Sequence, residues 1–195
     1  NYRKSIELDS NDLMAHIALA KLFLEEGNIA EGKKHANKAI SIKDDSVIAY
    51  LLLAEAAKKQ NKLEEVEGLL RKAQTKSRGN YKQEMTVATN LVRFYLASKK
   101  MEQALILGQD VVKRYPKNSR PLAILARVQL ANNQNGLAEK TLHKLISMEK
   151  RDVENRLLLV KILVGQPGKE RDDLRILDEL SLLVSGTPQN LITVS

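Results

Sequence analysis

Three histidines, His16, His35 and His143, are the residues best suited to ligate a metal or move a proton. They fall in three separate helical segments, so each reads as a packed or surface imidazole, and three isolated rings do not make a metal centre. Adjacent carboxylates stand at Asp44-Asp45, Glu64-Glu65 and Asp172-Asp173. Neighbouring residues on a helix point apart, whereas acid-base catalysis needs two groups that converge on one substrate atom. These pairs therefore read as caps and solvated faces; Asp172 and Asp173 sit near a helix start, where the macrodipole favours negative charge. The 195 residues contain no cysteine, which excludes disulfides, thiolate ligands and thiol nucleophiles. No glycine-rich phosphate loop, G-x-S-x-G elbow or H-E-x-x-H helix occurs. The expectation is a chain that performs no catalysis and needs no cofactor.

The elements that carry these residues follow from composition and period. Hydrophobic residues are 43% and charged residues 29%, a balance that folds. Aromatics are only 4%, while Ala, Leu and Lys abound, and such side chains lose little rotamer freedom in helices. The net charge of +8 is spread along the chain, as on a solvated surface. Nucleic-acid binding is disfavoured because Tyr2, Tyr50, Tyr81, Tyr95, Tyr115, Phe23 and Phe94 fall mostly on packing positions instead of forming a stacking platform. The longest apolar stretches, such as Val47 to Ala57, fall short of the roughly 20 residues that span a bilayer, and no signal-peptide pattern opens the chain. The opening Asn1-Tyr2-Arg3-Lys4 lacks an initiator Met and already shows helical spacing, so the sequence reads as part of a longer one.

A repeat organises the whole. Leu19, Leu53, Leu91, Leu125 and Leu159 recur at separations of 34, 38, 34 and 34, each followed by Ala or Val. Turn residues separate paired helices at Glu26-Gly27-Asn28, Gln60-Asn61-Lys62, Ser98-Lys99-Lys100 and Asn132 to Gly136. The expected units are the end of a preceding repeat at 1–12, repeats at 13–46, 47–84, 85–118 and 119–152, a divergent fifth at 153–186, and a tail at 187–195. The four-residue insertion falls at Ser77-Arg78-Gly79-Asn80, which joins the second and third repeats by an extended helix or a loose loop. In the fifth repeat Gly165 to Gly168 replace a tight turn, and Glu170 to Val184 form an amphipathic helix before the Gly186-Thr187-Pro188 breaker.

This pattern resembles the tetratricopeptide repeat, whose unit is a helix pair of about 34 residues with a W-x2-L-G-x2-Y, A-x3-F, P signature. The correspondence runs through His16, Leu19, Ala20 and Phe23, then Gly32, Ala36 and Ala39; it is closest at Ala88, Leu91, Val92, Tyr95, Ala104, Gly108, Val111 and Pro116. The resemblance implies an all-α, right-handed solenoid of stacked antiparallel helix pairs that binds partners on a concave face lined by the first helix of each pair. That rule selects an apolar amino-terminal part, Ile17, Leu24, Ile48, Leu51 and Leu52, and a basic remainder, Asn90, Arg93, Arg120, Arg127 and Lys161. The expected occupant is a protein or peptide segment with acidic and apolar residues. Some members of the family hold acidic chaperone tails through a Lys-Asn-Asn-Lys-Arg clamp; only Asn90 matches it in kind, so that partner is not expected. A nucleic-acid-binding repeat and a self-associating spacer are the competing readings. Pentatricopeptide chains also stack helix pairs, but their terminal Met-x-x-x-Gly-x-x-Pro signature is absent. In texture the repeats are most similar to bacterial multi-repeat envelope proteins of exopolysaccharide, PEP-CTERM-type systems, which leaves the cytoplasm and the periplasm or envelope as open compartments.

Overall fold

The computed structural model describes residues 2–149, 152–164 and 181. Among them are ten α-helices in chain order: α1 (Tyr2–Leu8), α2 (Leu13–Glu25), α3 (Ile29–Ile42), α4 (Val47–Lys59), α5 (Leu63–Lys76), α6 (Tyr81–Ala97), α7 (Met101–Arg114), α8 (Ser119–Ala131), α9 (Asn135–Met148) and α10 (Val153–Val164). They fall into two compact units, residues 1–97 and 98–195. The expected features at 165–180 and 182–195, including the turn at Gly165, the helix from Glu170 and the tail, lie outside the described residues.

Helix starts are set by side chains that satisfy amides with no partner in the first turn. Asp12 Oδ1 accepts from Ala15 N at 3.0 Å, Asn28 Oδ1 from Glu31 N at 3.3 Å, and Asp152 Oδ1 from Asn155 N at 3.0 Å. Helix ends are set by one left-handed residue: Gly27, Asn61, Lys99 and Asn133 have φ of 80°, 57°, 57° and 56°. All four sit at the same register of the repeat. Two residues of this set are Asn, which tolerates the region, and one is Gly, which has no Cβ to clash there. At the insertion the chain turns through Ser77 to Asn80, and α6 then runs 17 residues where α2, α4 and α8 have 13. Its start is secured by Asn80 Oδ1, which accepts from Gln83 N at 3.1 Å, and by the buried Glu84, whose Oε1 accepts from Gly79 N at 2.8 Å.

The repeating leucines form the cores. Leu19, Leu53, Leu91, Leu125 and Leu159 are all buried. In the first unit Ala20, Leu24, Ala36, Leu52, Leu53 and Ala56 cluster, with Ile17, Ile29, Ile40 and Leu69 packed against them. In the second, Leu122, Ala126, Ala138, Leu142, Leu145, Leu159 and Leu163 do the same. The small residues permit close approach. A Cβ built on Gly32 would lie 2.7 Å from Leu24 Cδ2 and Cγ, so that glycine is required by contact between α2 and α3.

Acid sensitivity enters at α2. Ser5 Oγ donates to Asp12 Oδ2 at 2.6 Å, and this bond, with the Ala15 amide, holds the Asp12 carboxyl below its ordinary range. Because the folded value is depressed, the stability Asp12 contributes is present above the unfolded carboxylate range and is lost as pH falls through the folded value. Asp12→Ala should therefore flatten the acid limb of a stability-against-pH curve, measured by denaturant midpoints. An unchanged limb would mean the carboxylate is not held.

Candidate peptide-binding surface

On the first helix of each pair, one turn of spacing divides core from surface. Two positions after each core leucine stand Lys21, Glu55, Arg93, Arg127 and Lys161, and all five are exposed. Five positions before the core leucine in the same helices, Met14 of α2 and Ile48 of α4 are 65% and 48% exposed. Since α2 packs on α4, these two residues stand at one register on neighbouring helices. Ile17 and Leu51 lie beside them, half-buried.

Two expected residues are corrected by their burial. Leu24 is 1% exposed and Leu52 is 7% exposed. Both point into the core of the first unit, where Leu24 fills the space over Gly32, and neither is available to a ligand. Met14 was missed by sequence reasoning, although its 34-residue offset from Ile48 could have found it.

The polar positions divide in the same way. Asn90 Nδ2 donates to Thr86 O at 2.9 Å, so its amide nitrogen is tied to its own helix. Arg93 is exposed on α6 and makes no ion pair with a described residue. In the second unit Arg120 is exposed near the start of α8. Arg127 of α8 donates from Nη2 to Glu154 Oε1 of α10, and this ion pair spans a cavity of about 380 Å³ lined by Arg127, Leu130, Glu154, Leu157, Leu158 and Lys161. Lys161 also borders an adjoining cavity of about 410 Å³ with Leu130, Ala131, Leu158 and Ile162. The structure thus brings Arg127 and Lys161 to one apolar-floored groove. Leu157, 51% exposed, belongs to that groove and was not anticipated, though the same 34-residue spacing places it opposite Ala123.

The expected isolation of the histidines is also corrected. His16 Nδ1 and His35 Nδ1 lie 2.9 Å apart, because helices α2 and α3 fold back on each other across a short turn. Two imidazoles fall short of the three or four protein ligands of a metal centre, and no cluster of three or more metal-ligating side chains exists among the described residues.

The arrangement of helix pairs has clear counterparts. PilF of Pseudomonas aeruginosa matches with a TM-score of 0.67 at 23% identity, over 93% of this chain and 80% of that one. YrrB, described as a TPR protein with an unusual peptide-binding site, matches with a TM-score of 0.58 at 13% identity, over 98% of this chain and 94% of that one. The chain has the tetratricopeptide-repeat fold. Yeast Tom70 matches it with a TM-score of 0.74 at 18% identity over 95% of this chain, which spans 38% of Tom70. No protein-family model matches the sequence, and no curated protein matches it by sequence, so the likeness to tetratricopeptide-repeat proteins is one of fold. No helix among the described residues is long and apolar enough to cross a membrane.

Proposed function

We propose that this chain is a non-enzymatic interaction scaffold whose first helices hold a partner segment carrying apolar and acidic side chains. The observation that carries the reading is the α8/α10 groove: an apolar floor of Leu130, Leu157 and Leu158 edged by Arg127 and Lys161. The Arg127 and Glu154 side chains are 48% and 75% exposed, so their pairing is worth only about 0–1 kcal/mol and a ligand carboxylate can displace Glu154 with little loss. Arg is suited to the exchange because its planar fork donates two N–H groups to one carboxylate at once. The peptide-binding site ascribed to YrrB supports the same use of the fold.

The test is binding of fluorescently labelled acidic-apolar peptides, selected from an unstructured library, to the wild-type chain and to variants. Arg127→Glu and Lys161→Glu should each weaken binding by about tenfold, or ~1.4 kcal/mol, because each replaces an attractive contact with the ligand carboxylate by a like-charge repulsion. Glu154→Gln should strengthen it several-fold by removing the internal competitor. Equal affinity in all four proteins would sink the proposal.

A further inference from the structure

We infer that the α8/α10 groove selects an extended partner segment with an alternating acidic–apolar–acidic–apolar pattern, whose two apolar side chains enter two subsites in tandem. This rests on the reading of the groove as the binding surface and adds what the groove selects. Arg127, Glu154 and Leu157 line only the first cavity, of about 380 Å³, whereas Ala131, Asn135 and Ile162 line only the second, of about 410 Å³. Leu130, Leu158 and Lys161 line both and form the saddle between them. Each volume exceeds the ~300 Å³ at which pockets for apolar ligand groups begin.

The spacing of the subsites follows from the helices that carry their linings. Arg127 and Ala131, one from each subsite, are four residues apart on α8, a rise of about 6 Å. Leu157 and Ile162, again one from each, are five apart on α10, a rise of about 7.5 Å. An extended chain places residues i and i+2 on one face roughly 6.4–6.8 Å apart, between those two values. A helix brings i and i+4 to a similar spacing of about 6 Å, but it is roughly 10–12 Å across. The mouth of the first subsite is narrow enough for the Arg127 guanidinium to meet the Glu154 carboxylate across it, so the slimmer extended chain is the occupant that fits.

Alternation in the ligand mirrors floor and rim. With side chains i and i+2 directed to the apolar floor, i−1 and i+1 point outward, to the rim. The exposed Arg127 stands there beside the first subsite alone, and the exposed Lys161 stands at the saddle. Lys161 therefore meets the residue between the two apolar anchors, and Arg127 meets the residue on the other side of the first anchor. Asn135 at the second subsite is neutral, so that side of the second anchor needs no charge.

The probe is a fluorescently labelled peptide with the core Asp-Leu-Asp-Leu-Asp, blocked at both ends, which meets the pattern in either chain direction. Replacing either leucine by alanine should weaken its binding to the full chain about tenfold in fluorescence anisotropy, as one leucine side chain is withdrawn from burial. Ala131→Leu fills the second subsite from an exposed position at the end of α8, where the added bulk stays out of the core. On that variant one of the two peptide leucines should lose its effect, to within about twofold, while the other keeps it. A peptide with its leucines at i and i+4 in a helix-forming context should bind more weakly than the probe. If the probe binds and is weakened by Arg127→Glu and Lys161→Glu, yet both leucines still count equally in Ala131→Leu or the i,i+4 peptide binds more tightly, the paired subsites are overturned and the scaffold reading stands. If no acidic-apolar peptide binds at all, both fall.

Discussion

Ala104→Glu should lower stability by about 4 kcal/mol, which for a chain of this size is a fall in Tm on the order of 8–16 °C. Ala104 lies on α7 with no exposed surface, and α7 packs on α8 along that face. A glutamate there must either stay neutral, at the expense of its solvation, or force the helices apart. Thermal unfolding followed by circular dichroism reads the effect directly. A Tm within 2–3 °C of wild type, corresponding to about 1 kcal/mol, would mean that α7 does not pack on α8 at this register.

Leu24→Ala is the second large effect, and it separates two roles for one residue. As a core side chain with 1% exposure, Leu24 should cost about 2–5 kcal/mol on truncation, and peptide affinity of the remaining folded protein should be unchanged. The space left lies over Gly32, whose missing Cβ is what allows the leucine to enter. Adding Gly32→Ala to Leu24→Ala should therefore recover part of the loss, whereas Gly32→Ala alone should destabilise; the two changes are coupled through one contact and not additive. Denaturant midpoints of the four proteins in the cycle decide it. A Leu24→Ala protein with wild-type stability and weakened peptide binding would return Leu24 to the surface.

The same residue shows what the sequence could reveal. Period and turn chemistry are local properties, so the helix pairs were legible from Leu19, Leu53, Leu91, Leu125 and Leu159 and from the breakers between them. The exposure of Arg127 and Lys161 was legible for the same reason: two positions after the repeating leucine the side chain is exposed in all five repeats. Leu24 and Leu52 were not, because whether a leucine at the edge of a helical stripe faces solvent or core depends on the neighbour's side chain, here the absence of one at Gly32. The His16 and His35 contact was hidden for a related reason. Residues 19 apart in sequence meet only because the α2–α3 turn sets the phase of one helix against the other, and a shift of one residue in that turn would carry His35 away.

The left-handed residues at Gly27, Asn61, Lys99 and Asn133 govern how the molecule forms as well as how it stands. Gly27, Asn61 and Asn133 each close a hairpin whose two helices are neighbours in sequence, and the tightest packing lies within these hairpins, α2 with α3, α4 with α5 and α8 with α9. Loop closure over so few residues is fast and loses little chain entropy, so contacts accumulate locally and folding of this topology belongs to the microsecond-to-millisecond range. The converse holds for disassembly. Each helix pair is fastened only by its neighbours in sequence, so native-state hydrogen exchange should open one helix pair at a time.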